Sequence, residues 1–208
     1  VTPVATTHPF DNQGQSMISF TSPIRTIGVL ILAMAGTALV HAEQKLLPAQ
    51  SDIAFVSKQM GVAMEGHFKK FDAQIAFDPA KPETGKIALS VDIASATLGA
   101  PEMDGELPKA TWFNTAKFPQ ATFQSTAIKG LGGGKFEVSG KLAIKGSVRD
   151  TTVPVTLAQS GAITTASGVL TIKRLAFKIG ENEWADTSAV ADDVQIKFKL
   201  ALSGVGKL

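Results

Sequence analysis

The chain predicts a mainly β fold from residue 43 onward, an antiparallel barrel or sandwich of about eight strands. Apolar residues recur at every second position. Ile87, Leu89, Val91 and Ile93 alternate with Lys86, Ala88, Ser90 and Asp92, and Val194, Ile196, Phe198, Leu200 and Leu202 alternate with Gln195, Lys197, Lys199 and Ala201. That period gives a strand one buried and one wet face. Clusters of Gly and Pro separate the runs at the spacing of a sandwich or barrel.

The remaining strands follow in order. "SDIAFVS" aligns Ile53 with Phe55, and "FDAQIAF" aligns Phe71, Ile75 and Phe77. "KFEVSGKLAI" sets Phe136, Val138, Leu142 and Ile144 on one side with Gly140 between them. "TTVPVTL" aligns Val153, Val155 and Leu157, and Pro154 inside it predicts an edge or bulge. "DPAKPETG" (78–85) reads as a connection, "KGLGGGK" (129–135) as a hairpin loop, and Gly161 and Gly168 as flanking another turn.

One long break interrupts the pattern. Its second half, "LPKATWFNTAKFP", carries Pro108 near its start and ends at Pro119, which predicts a short helix. The chain has 12 Phe and 2 Trp, and Trp112, Phe113, Phe118 and Phe123 fall together here. A helix would carry Trp112 and Phe113 to one end of the barrel, as a plug or as part of a channel wall, with Ala116 one helical step from Phe113.

The N-terminal quarter reads differently. In "SPIRTIGVLILAMAGTALVHAEQ", Arg25 precedes an uncharged apolar run, Ile27 to Val40, and Val40 and Ala42 bracket His41 in a small-x-small pattern. This predicts a signal peptide over 17–42, cleaved after Ala42. The run is short of the ~20 residues a bilayer span needs. Residues 1–16 fit neither signal nor core and read as a disordered segment or an extension upstream of a true start at Met17.

Composition excludes several functions. The formal net charge is +2 and the 20 basic residues are scattered, which gives nucleic acid no clustered footing. There is no Cys, so thiol chemistry and thiolate metal sites are ruled out. Of 3 His only His67 lies beyond residue 42, too few for a His-based metal site. There is no G-x-S-x-G elbow for it to serve. His67 reads as an exposed strand residue. In "GLGGGK", Lys129 stands at the first glycine position of a phosphate loop and Phe136 where Ser or Thr is required. The acidic segments "PEMDGEL" and "GENEWADTS" read as solvated loops. No catalytic residue, metal or cofactor is expected.

The segments "SDIAFVSKQMGVAMEGHFKKFDAQIAFDP", "DIASATLG", "WFNTAKFPQATFQST", "FEVSGKLAIKGSVRDTTVPVTL" and "IKRLAFKIGENEWADTSAVADDVQIKF" resemble, in order and spacing, the YceI-like family of bacterial periplasmic proteins. The resemblance implies a lipocalin-like antiparallel barrel with a helix near one end and an apolar channel for a polyisoprenoid chain, such as a quinone or polyprenyl phosphate. It implies a periplasmic location and a non-catalytic carrier. The other reading is a structural or stress-response domain with a filled core and a protein partner; a ligand-modifying enzyme is a third. The expected wall residues are Ile53, Phe55, Phe71, Ile75, Leu89 and Val91, then Trp112, Phe113, Ala116, Phe123, Phe177 and Phe198.

The chain departs from the family's pattern in places. Lys58-Gln59 stands for a common Lys-His, and Met103-Asp104-Gly105-Glu106-Leu107 for Arg-Asp-x-His-Leu. Trp112-Phe113 replaces Phe-Phe, and Arg174-Leu175-Ala176-Phe177 replaces Arg-x-Asp-Phe. The lost cationic and imidazole groups tilt the expectation toward a neutral head group such as a quinone. The variant pattern also resembles that of family members found beside membrane cytochrome b proteins, which implies a functional link to one.

Overall fold

Eleven strands build one curled antiparallel sheet in the computed structural model, which describes residues 43–208. The readings of 1–16 and 17–42 lie outside the described residues. The strands are β1 (Lys45–Leu46), β2 (Asp52–Gln59), β3 (Val62–Phe68), β4 (Phe71–Ala76), β5 (Lys86–Asp92) and β6 (Ala96–Thr97). They continue as β7 (Gln120–Gly132), β8 (Lys135–Ile144), β9 (Ser147–Ser160), β10 (Ile163–Lys173) and β11 (Asp193–Ser203). The order is β4-β5-β7-β8-β9-β10-β11-β2-β3-β6, with β1 added beside β11.

The edges of this sheet meet because the chain bends. β3 lies near one edge and β4 at the other, yet only Lys69 and Lys70 separate them. At that corner the Lys69 amide donates to Ser95 O at 3.2 Å and the Asp92 amide to Lys70 O at 2.9 Å. Across the other part of the seam, Gln44 bonds both backbone groups of Phe77: its Nε2 donates to the carbonyl at 2.6 Å and its Oε1 accepts the amide at 2.8 Å. Backbone groups that an open sheet would leave bare are thus paired.

The strand count exceeds eight because two strands have only two residues and because β3, β7 and β10 weaken their alternation with Gly, Ser and Thr. Gly168 is not in a turn: it lies inside β10, directly opposite Phe198 of β11. The expected helix over 108–119 is also absent. Residues 109–117 form stacked turns, in which the Phe113 amide reaches back to Leu107 O and the Asn114 amide to Lys109 O. Asn114 sits at φ 50°, in the left-handed region that ends a helix, and Thr111, Trp112 and Phe113 are mediocre helix formers. The helix that forms, α1 (Pro101–Asp104), lies just upstream with a proline in its first turn.

Short connections gather at one end of the barrel: 77–85, 133–134 and 161–162, together with both chain ends of 43–208. This is the hairpin end. The other, the cap end, carries the two-residue turns 60–61 and 145–146 and the two long connections, 93–119 and 174–192.

Candidate functional site: an apolar cavity inside the barrel

Inward-facing residues from nearly every strand enclose a cavity of about 340 Å³. That is the size of a small-molecule site. Among the described residues, the only lining side chains with polar groups besides the Trp112 and Trp184 indoles are Ser57, Gln59, Glu106 and Arg174. Gln59 is exposed as well as lining, so the cavity reaches the surface beside the β2–β3 hairpin. Gln59, Met103 and Glu106 all line it, which means the departures from the family's cationic and imidazole positions fall on its wall.

The lumen stays open because of three glycines inside strands. A Cβ on Gly66 would stand 2.3 Å from the Phe55 ring, one on Gly140 2.5 Å from Phe123, and one on Gly168 2.5 Å from Phe198. Each ring therefore lies over a neighbouring strand's glycine. Three phenylalanines cover the wall without filling the space it surrounds. Isolated strand glycines commonly mark such close approaches.

Nine of the expected wall residues border the cavity: Ile53, Phe55, Ile75, Leu89 and Val91 from β2, β4 and β5, with Trp112, Phe113, Phe123 and Phe198. Three do not. Ala116 is exposed, because the absent helix is what would have turned it inward. Phe177 is buried in a 3₁₀ turn and packs in the core behind the wall. Phe71 opens β4 just after the Lys69–Lys70 corner and packs between the barrel's two core clusters instead of bordering the space. Of the four crowded aromatics, Phe118 is the one turned elsewhere: it covers Gly146, in the turn between β8 and β9.

Two buried cations, neither anticipated from the sequence, hold the cap together. Arg174 is only 1% exposed. Its Nε donates to Ala191 O, Nη1 to Ile179 O and Gly180 O, and Nη2 to Trp184 O and Val190 O, at 2.6–3.1 Å. All five guanidinium donors are used. Burial pushes this guanidinium below its ordinary pKa, and the Asp192 carboxylate opposes the shift. Lys145 occupies a left-handed position, φ 48°, in a two-residue turn with Gly146. Its ammonium bonds Lys178 O, Thr111 O at 3.4 Å and Glu181 Oε2 at 3.0 Å. The Thr111 carbonyl also accepts the Gly180 and Glu181 amides, both at 2.9 Å. The two long connections are locked to each other, with the Trp112 and Trp184 rings tilted against one another between them, centroids 5.5 Å apart.

His67 is half-exposed on β3, its Nδ1 2.9 Å from Asp52 Oδ1 on the neighbouring strand. Among the described residues no group of three His, Asp or Glu is placed to hold a metal ion.

The chain is 32% identical over 140 residues to a UPF0312 protein of Azotobacter vinelandii, covering 64% of this chain and 71% of that one. It is 32% identical over 135 residues to Protein YceI of Escherichia coli O157:H7, covering 63% and 69%. Among solved structures, Burkholderia cenocepacia BcnA superposes with a TM-score of 0.73 at 51% identity, over 75% of this chain and 98% of that one. A polyisoprenoid binding domain from Saccharophagus degradans, implicated in plant cell wall breakdown, superposes with a TM-score of 0.60 at 20% identity, over 77% and 98%. Residues 45–202 match the YceI-like domain, and the chain belongs to that family.

Proposed function

We propose that this protein is a periplasmic carrier that holds a polyisoprenoid lipid in its barrel cavity and performs no chemistry on it. The observation that carries the proposal is the cavity itself: an apolar wall, kept open by rings laid over glycines, with no free cation on it among the described residues. Each methylene buried there contributes ~0.8 kcal/mol, so several prenyl units bind without any charged contact. The Saccharophagus degradans domain, described as polyisoprenoid binding, supports the ligand class through its shared fold.

The head group in this reading is neutral, as in an isoprenoid quinone. Arg174 and Lys145 have no donor left for a phosphate. The Glu106 carboxylate, which lines the cavity, is already paired with the Lys109 ammonium and offers a phosphate nothing. A quinone ligand fits a link to a membrane cytochrome b. The competing reading, a structural or stress-response domain with a filled core, is disfavoured by the space inside the barrel.

Organic extraction of the protein purified from its native host, followed by mass spectrometry, tests the proposal. Recovery of a prenyl lipid in near-stoichiometric amount is expected; a protein that carries none and takes up none when offered it would overturn the carrier reading. Binding of a prenylated quinone should hardly change between low and high ionic strength, since no ion pair forms. A steep loss with salt would assign a phosphate head instead.

A further inference from the structure

We infer that the Trp112 indole N–H donates a hydrogen bond to an uncharged head-group oxygen, a carbonyl or hydroxyl, of the bound lipid. The inference rests on the carrier reading and adds to it the residue that recognises the head.

Among the described residues, Trp112 Nε1 is the one buried side-chain nitrogen or oxygen without a hydrogen-bond partner. Buried donors are nearly always paired, and an unpaired one is a standing cost to the fold. Indole nitrogen only donates, so the missing group is an acceptor. Trp112 lines the cavity, so its ring stands where a ligand can bring one. The other buried donors at the cap end are already spent: Arg174 on backbone carbonyls, Lys145 on two carbonyls and Glu181.

The ring is also held in place. Its backbone amide bonds Lys109 O at 3.0 Å, and its Cζ3 rests 3.2 Å from where a Cβ on Gly180 would stand. Protein atoms cover the N–H in the ligand-free structure, so an incoming oxygen displaces one of them. The half-buried Trp184 ring, tilted against Trp112 with centroids 5.5 Å apart, is the neighbour that would give way. The lipid then lies with its oxygenated end under the cap and its tail toward the hairpin end. A neutral donor suits a neutral acceptor, in keeping with the absence of a free cation.

The test compares Trp112→Phe with the wild-type protein in calorimetric titrations of two probes. One is a prenylated benzoquinone, the other an all-hydrocarbon polyprene with the same number of prenyl units. The substitution should weaken quinone binding about tenfold more than hydrocarbon binding, the worth of one hydrogen bond in a dry site. In the wild-type protein the indole N–H proton resonance should move downfield with the quinone and not with the hydrocarbon. Equal losses for both probes, or no loss for either, would reduce Trp112 to wall packing while the carrier reading stands. If the wild-type protein binds neither probe, the carrier reading falls and this inference with it. Should Trp112→Phe fail to fold, the wild-type resonance decides alone: an unmoved indole proton overturns the inference.

Discussion

At the hairpin end Leu46, Ala166, Leu202 and Val205 pack into a small apolar cluster, and short loops leave little backbone to satisfy. At the cap end two long connections bring a crowd of carbonyls into the interior, and Arg174 and Lys145 collect them. One end closes by excluding water from side chains, the other by hydrogen-bonding irregular backbone. The difference teaches that a buried cation need not be a ligand site. Here Arg174 and Lys145 satisfy the irregular backbone between the short elements of 93–119 and 174–192.

The comparison breaks most readily at Arg174. Arg174→Ala takes the guanidinium donors from five carbonyls, three buried and two part-buried, and should cost ~3–5 kcal/mol in urea unfolding. Arg174→Lys, with fewer donors, should recover only part of it. A loss below ~1 kcal/mol would mean that the cap does not depend on the guanidinium. Leu202→Ala probes the other end and should cost ~2–4 kcal/mol through a cavity alone. Its effect should not grow with acid or salt; a strong dependence on either would show that the hairpin end also closes electrostatically.

Acid sharpens the contrast on a smaller scale. The Thr97 hydroxyl and then the Leu98 amide donate to Asp104, at the base of the cap, and hold its carboxyl below the ordinary aspartate range. A carboxyl lowered on folding stabilises the protein above its unfolded-state pKa, and that contribution is lost as pH falls through the folded-state value. Wild type should therefore exceed Asp104→Asn in stability near neutrality, with the gap closing in acid. A gap that is flat with pH would remove Asp104 from the account.

How much of this was legible in the sequence follows from the same contrast. Period-two alternation is a local property. It found the inward faces of β2, β5 and β11, and with them Ile53, Phe55, Leu89, Val91 and Phe198. The glycines misled: Gly168 looked like a turn, because nothing local reveals that Phe198 of the next strand lies over it. The cap end was opaque for a different reason. Proline spacing suggested a helix over 108–119, and Asn114 at positive φ, with Thr111 O taken up by Gly180, Glu181 and Lys145, made stacked turns instead. Those partners lie more than thirty residues away in the chain. Ala116 and Phe177 were misplaced with that helix and with the 3₁₀ turn after Arg174.

The central claim is that the barrel interior is open space reserved for a lipid tail. Ala121, a buried wall residue opposite Val91, allows a direct test. A prenylated benzoquinone should no longer bind Ala121→Phe, while the ligand-free variant unfolds at the same or higher denaturant concentration, since the new ring occupies existing space. Retained quinone binding together with a loss of ~1–3 kcal/mol, the usual cost of overpacking a filled core, would contradict the account.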